Sequence, residues 1–337
     1  MLAPLTADSR SLMFPILLAL ALLFDFLNGF HDSSNIVATV ISSGAMRPRL
    51  ALVVAAVCEF LGPFLFGVAV ATTVGEGLLN GDAVTPAVVI AALFSAVLWN
   101  LVTWYLGLPS SSSHALIGGL LGAAVLSGGM SVVRIAGLTK ILLALLISPV
   151  VGLIAGFLVM RLTLFLSQKA HPRVNHVFRR LQAFTLVGLA LSHGTNDAQK
   201  TMGVIALGLL AAGYMERFAV PIWVIAASAG AIALGTSLGG WRLIRTLGGR
   251  IFRVRPIHGF ASQVAGAAVI LGAALLGGPV STTQVMSSAI MGVGAAERLG
   301  KVRWLVLRDL VVAWVLTIPL TAALAAVAYY VMDRFVP

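Results

Sequence analysis

Asn28-Gly29-Phe30-His31-Asp32-Ser33-Ser34-Asn35 lies in the middle of an apolar run from about residue 11 to 44. A carboxylate inside a stretch apolar enough to enter a bilayer is costly, and it marks a place that is used. The pattern occurs twice. His193-Gly194-Thr195-Asn196-Asp197-Ala198-Gln199-Lys200 sits in the same way inside a run from about 183 to 212, and the two share G-x-[HN]-D at Gly29 to Asp32 and Gly194 to Asp197.

Further along each half a second match appears. Pro109-Ser110-Ser111-Ser112-Ser113-His114 corresponds to Pro279-Val280-Ser281-Thr282-Thr283-Gln284. Between the two motifs, Gly62 and Gly67 align with Gly230 and Gly235. Three collinear matches at nearly one offset, about 165 to 170 residues, indicate an internal duplication. It divides the chain into an N-terminal repeat at 1–166, a basic cytoplasmic linker at 167–182 and a C-terminal repeat at 183–337.

The chain has 337 residues, of which 59% are hydrophobic and only 10% charged, with a mean hydropathy of +1.03. That leaves too few charges to cover a soluble surface, so the expected class is an all-α membrane protein. The net charge of +11 does not imply nucleic acid, because the basic residues lie in short loops between apolar runs. The single cysteine, Cys58, has no partner in its own chain, so no internal disulfide is expected. The start of the chain carries no small-residue cleavage site before a polar region and reads as a first membrane segment.

Ten apolar segments can be drawn, at about 11–44, 50–73, 84–107, 109–128, 135–166, 183–212, 217–238, 257–277, 279–296 and 303–333. Basic residues collect at Arg47/Arg49, Lys169/Arg173/Arg179/Arg180, Arg242/Arg245/Arg250/Arg253/Arg255 and Arg298/Lys301/Arg303. Glu76, Asp82 and Glu216 mark the intervening loops. Placing every basic cluster in the cytoplasm fits one crossing per segment, puts both termini outside the cell membrane, and gives the halves inverted topology. Each repeat then holds about five membrane segments. The first and sixth segments exceed a roughly 30 Å core at 1.5 Å per residue, so each is expected to be broken or strongly angled, with hairpins meeting near the midplane.

The hydroxyl-rich motifs have a definite chemistry. Proline suits a helix start, exposed N–H groups there attract anions, and Ser or Thr hydroxyls add neutral donors. Two such starts at the midplane would form a donor cage for a tetrahedral oxyanion, with Ser110, Ser111, Ser112, Ser113, Ser281, Thr282, Thr283 and Gln284 as candidate ligands. The plainer alternative is that small hydroxyl residues only pack helices. Asp32, Glu59, Asp197 and Lys200, with Asn35 and Asn196 nearby, are candidates for cation coupling, since a carboxylate near an oxyanion must hold Na⁺ or a proton to be tolerated. Asn100 is a further polar residue within a span. Asp32 and Asn35 form a candidate sodium site. Asp25 reads as a water-exposed or paired structural acid, and His31 and His193 as helix-packing donors rather than metal ligands.

Across essentially the whole chain, these motifs resemble the inorganic phosphate transporter (PiT) family, in its bacterial form. That family carries a G-x-N-D-x-x-N signature in both halves. Gly29-Phe30-His31-Asp32-Ser33-Ser34-Asn35 and Gly194-Thr195-Asn196-Asp197-Ala198-Gln199-Lys200 are similar to it, the paired Pro motifs to its phosphate-contacting hairpins, and Glu59 to its membrane glutamate. The resemblance implies a homodimer, a scaffold with a moving transport region, and cation-coupled phosphate symport. Sulfate, or a metal–phosphate complex with a proton, is the alternative cargo. Two departures bear on coupling: His31 replaces the usual Asn, and Lys200 stands where the first repeat has Asn35. A fixed ammonium would occupy a cation site outright and favour protons over two sodium ions.

An intramembrane serine hydrolase would use Ser110 to Ser113 with His114 as base. Neighbours on one helix rarely reach that geometry, and the second copy has Gln284 in place of a base. A passive channel fits poorly with charged midplane groups. The expectation is therefore a transporter and no enzyme, with no cofactor beyond a bound sodium ion.

Overall fold

The computed structural model describes residues 7–80, 84–171, 173–249 and 254–335. Among them are α1 (Ala7–Ser42), α2 (Pro48–Phe66), α3 (Ala69–Gly75), α4 (Pro86–Leu106), α5 (Ser112–Gly128) and α6 (Ile135–Ser167). The second half contributes α7 (Val174–Ala211), α8 (Ile222–Leu238), α9 (Trp241–Gly249), α10 (Pro256–Leu275), α11 (Thr282–Glu297) and α12 (Trp304–Phe335). The fold is an all-α membrane architecture. Among the described residues, six helices, α4 and α10 among them, have the length and apolarity to cross a bilayer, and the bent α8–α9 pair would be a seventh if it forms one span.

The long polar-centred segments are not broken. α1 runs 36 residues and α7 runs 38 without interruption through Asn28 to Asn35 and His193 to Lys200. Neither motif contains proline, and the side chains find partners on other helices, so the backbone keeps its own hydrogen bonds. At 1.5 Å per residue these helices are about 54 and 57 Å long, so a roughly 30 Å core requires inclination or emergent ends. α7 also takes in more than half of the stretch read as a linker, from Val174 onward.

The breaks fall elsewhere. The 50–73 run divides into α2 and α3 at Gly67, with φ 80°, and α8 bends by 72° into α9 at Gly239, with φ 71°. A φ in the left-handed region is where glycine replaces every other residue at little cost. Pro109 and Pro279 also lie outside their helices, each two residues before an N-cap serine, Ser111 or Ser281. α5 and α11 have only 17 and 16 residues, about 25 Å of helix, which is short of a bilayer core. The helices of segments 109–128 and 279–296 are thus at or below the shortest length for a crossing. They are the returning limbs of hairpins with α4 and α10.

Packing recurs when the first six helices are exchanged for the last six. α1 lies on α8 as α7 lies on α2, α5 on α12 as α11 on α6, and α9 on α1 as α3 on α7. Close glycine crossings carry this pattern. A Cβ at Gly29 would run into the Ile232 carbonyl, and one at Gly194 into the Glu59 carbonyl. Gly62 meets Leu191 and Gly235 meets Phe26 in the same way, while Gly230 faces open space. The counterpart of Gly62 is therefore Gly235, and the alignment with Gly230 is five residues out of place. Glu59 thus answers to Ile232, which removes any second membrane glutamate.

Candidate functional site: a buried polar centre between two half-helix starts

Residues 28–35 and 193–201 would be unstable in lipid, and the fold buries all of them but Phe30, which is half-buried. Asp32, Asn35, Glu59, His193, Asn196, Asp197 and Lys200 are all at least 97% buried. α1 and α7 cross at the centre, and the starts of α5 and α11 close on them from the other side. The two starts abut, with Ser113 Oγ donating to the Val280 carbonyl at 3.3 Å.

Thr282 donates to Asp197 Oδ2 at 2.8 Å and approaches Asp32 Oδ2 at 3.2 Å, while Thr283 donates to Asp32 Oδ1 at 2.8 Å. Asn35 Nδ2 donates to Thr283 Oγ1 at 3.0 Å, which leaves Asn35 Oδ1 without a partner among the described residues. Lys200 is held three ways. Its Nζ donates to Asp197 Oδ1, to Ser113 Oγ at 2.7 Å and to the Val280 carbonyl at 2.8 Å. Ser112 Oγ donates to Asn28 Oδ1 at 2.5 Å.

His193, read from sequence as a packing donor, belongs to this centre. Nδ1 lies 2.8 Å from Glu59 Oε1, and Nε2 lies 3.2 Å from Asp197 and 3.9 Å from Asp32. These are ion-pair distances without good hydrogen-bond angles, so the attraction is electrostatic rather than directional. Asp32, His193 and Asp197 can each turn one ligand atom to within 4.8 Å of the others, a geometry that would take a small cation. Three carboxylates here face one ammonium and one imidazole. An oxyanion added to that balance needs another positive charge with it.

The other sequence-derived candidates are elsewhere. Ser110 Oγ turns away to Thr103 Oγ1 at 2.9 Å. Ser111 and Ser281 act as N-caps for His114 N and Gln284 N. The caps serve the third N–H of each helix, and the first two N–H groups of α5 and α11 have no intrahelical acceptor, as at any helix start. Gln284 and His114 face a mostly apolar cavity of about 500 Å³ between α6 and α12. Ser111 Oγ does lie 2.7 Å from His114 Nδ1, but it is occupied as the cap. Asn196 donates to the Gly278 carbonyl at 3.1 Å, bracing the α10–α11 hairpin, and His31 faces Thr103 at 3.4 Å beside the α4–α5 hairpin. Asn100 is buried without a side-chain partner among the described residues.

Sequence reasoning passed over several residues. Gln199 accepts from Val70 N and donates to the Gly67 carbonyl, bridging the α2–α3 break. Ser33 accepts from Gly240 N across the α8–α9 break. Both follow the motif aspartate, Ser33 by one residue and Gln199 by two, but their counterparts Ala198 and Ser34 give no matching polar pair, and the breaks they bridge were invisible inside apolar runs. Asp25, read as exposed or structural, is fully buried and accepts from Thr201 Oγ1.

Residues 28–325 match the Phosphate transporter family. A probable low-affinity inorganic phosphate transporter of Rhizobium meliloti is 44% identical over 96% of this chain and 98% of its own. One of Bacillus subtilis is 42% identical over 93% of this chain and 95% of its own. A solved structure described as the sodium-dependent phosphate transporter superposes with a TM-score of 0.86 at 25% identity, covering 96% of this chain and all of the other. The chain is a multi-pass membrane transporter and not an enzyme, and it belongs to the phosphate transporter family.

Proposed function

We propose that the protein is a secondary active symporter that brings inorganic phosphate across the cell membrane together with a proton or sodium ion. The observation that carries this reading is the abutment of two serine-capped half-helix starts over the Asp32–Asp197 pair. Free N–H groups and the hydroxyls of Ser112, Ser113, Thr282 and Thr283 supply donors to an oxyanion, and the carboxylates behind them supply a seat for the cation that must accompany it. Thr282 and Thr283 touch both layers. A cation on Asp32 or Asp197 would turn those hydroxyls from donors to carboxylate into donors to phosphate, and this links the two bindings. Asp32 with the unpartnered Asn35 Oδ1 is the proposed cation seat.

Lys200 fills the corresponding place in the second half. A further metal ion 4 Å from its ammonium would meet repulsion on the order of 4 kcal/mol at an effective dielectric near 20. The proposal therefore assigns the second half a fixed charge and gives proton coupling precedence over a two-sodium cycle. It includes inverted repeats at 1–166 and 183–337, with the basic loops cytoplasmic and both termini outside. A hairpin that enters and leaves from one side keeps that parity. Phosphate uptake into proteoliposomes, with Na⁺ and pH gradients imposed separately and sulfate or Mg²⁺ added, tests the reading. Saturable uptake that either gradient drives and sulfate fails to block supports it, and uptake that sulfate blocks and phosphate does not would replace it.

A further inference from the structure

Asp25 is a fully buried carboxylate that the central cluster does not use. It lies seven residues before Asp32 on α1, two helical turns and about 10 Å away, on the side opposite the basic loops. Its Oδ1 accepts from Thr201 Oγ1 at 2.5 Å, and its Oδ2 has no partner among the described residues. The Ser228 hydroxyl of α8 is equally buried and interacts with the same carboxylate, without well-aligned hydrogen-bond geometry. Three oxygen-bearing side chains from three helices thus meet at one place, and two of their oxygens, Asp25 Oδ2 and Ser228 Oγ, form no well-aligned hydrogen bond there. The charged groups whose fields reach Asp25 are Asp197 and Lys200, both on α7.

The exchange symmetry supplies a control within the molecule. Gly29 answers to Gly194 and Gly62 to Gly235, so Asp25, Thr201 and Ser228 answer to Ala190, Ile36 and Ala55. Those three are fully buried together in one hydrophobic cluster. The same helix crossing is therefore stable with apolar residues alone, and the fold has no need of a carboxylate at Asp25. A buried carboxylate with an unsatisfied oxygen is a cost unless a cation compensates it.

We propose that Asp25, Thr201 and Ser228 form a second monovalent-cation site, on the outer side of the phosphate centre, that takes a proton or a sodium ion. Its ligands are all hard oxygens, as either ion requires. The cation bound there is sensed at Asp197 and Lys200 through their common field and through Thr201, the next residue after Lys200. It enters the stoichiometry of transport as one cation beyond that held at Asp32.

The consequence for stoichiometry rests on the reading as a phosphate symporter, but the site itself does not. The first measurement is the gradient at which net phosphate flux reverses in proteoliposomes, which does not depend on how much active carrier is present. Asp25→Asn should shift reversal by one cation per phosphate, in the sodium arm or in the pH arm according to which ion is bound. Ser228→Ala should keep the stoichiometry and raise the half-saturating cation concentration about threefold to tenfold, the loss of one hydroxyl ligand. An unchanged reversal gradient in Asp25→Asn overturns the proposal.

The second measurement needs no phosphate. Thermal unfolding of purified protein in nanodiscs is followed with NaCl against choline chloride, and at acid against neutral pH. Stabilisation by Na⁺ or by acid should be smaller in Asp25→Asn than in wild type, and equal stabilisation overturns the site even if that variant shows no flux. If wild type moves no phosphate while this difference persists, the transport reading fails and the cation site stands.

Discussion

Asn35 and Lys200 occupy corresponding places on α1 and α7, and each donates to a hydroxyl at the start of the opposite half-helix. Asn35 Nδ2 reaches Thr283 Oγ1 at 3.0 Å and Lys200 Nζ reaches Ser113 Oγ at 2.7 Å. The geometry is shared and the charge is not. On one side a neutral amide leaves its carbonyl oxygen unsatisfied, while on the other an ammonium is bound to Asp197. On the proposed reading, the first half needs a mobile cation where the second carries a fixed one.

Replacing the fixed charge should expose that asymmetry. Lys200→Asn leaves Asp197 without its ammonium, so transport should acquire a sodium requirement or a steeper dependence on sodium concentration. Initial rates against Na⁺ at fixed pH, for wild type and variant, measure this. Identical sodium dependence in the two would remove Lys200 from the coupling scheme.

The hydroxyls should separate by where they point. Thr282→Ala removes a donor shared by Asp32 and Asp197, and Ser113→Ala removes a ligand of Lys200. With neutral hydrogen bonds worth about 0.5 to 1.5 kcal/mol, each should raise the half-saturating phosphate concentration by about twofold to tenfold. Ser110→Ala, whose hydroxyl turns to Thr103, should change it less. Equal effects at all three positions would mean that the clusters only pack helices.

Much of this was legible in the sequence, for physical reasons. The duplicated G-x-[HN]-D and Pro-hydroxyl motifs named the residues that meet at the centre, because charges within apolar runs have few places to go. The course of the backbone was harder to read. The polar patches in α1 and α7 looked like breaks, yet helix is kept wherever side chains find partners, and the partners Thr282, Thr283 and Ser112 come from far along the chain. The true breaks at Gly67 and Gly239 leave no mark in hydropathy. His193 beside Glu59, and Asp25 beside Thr201, depend on helix crossings that one-dimensional spacing cannot supply.

Charge removal at the centre tests coupling apart from fold. Asp32→Asn and Asp197→Asn keep shape but lose the negative charge proposed to hold the cation. Each should abolish accumulation against a gradient, while the purified variants should elute as wild type does on size exclusion. Concentrative uptake in either variant would return that residue to a structural role.

The crossing of α7 with α2 has no room for a methyl group. A Cβ at Gly194 would meet the Glu59 carbonyl, and both belong to helices that position the site. Gly194→Ala should destabilise the protein by about 3 kcal/mol or prevent folding, as overpacking does at a backbone contact. Gly188→Ala on the same helix, where nothing lies within 4 Å, should be tolerated. Thermal unfolding of the two variants in detergent measures the difference, and similar midpoints would contradict the close crossing.

The most direct test of coupled phosphate transport is accumulation of radiolabelled phosphate in proteoliposomes that start with equal phosphate on both sides, after a pH gradient or a sodium gradient is imposed. The internal concentration should rise above the external one under at least one gradient and collapse when an ionophore dissipates it. Phosphate that never exceeds its external concentration under either gradient, in protein that still exchanges phosphate, would contradict the account.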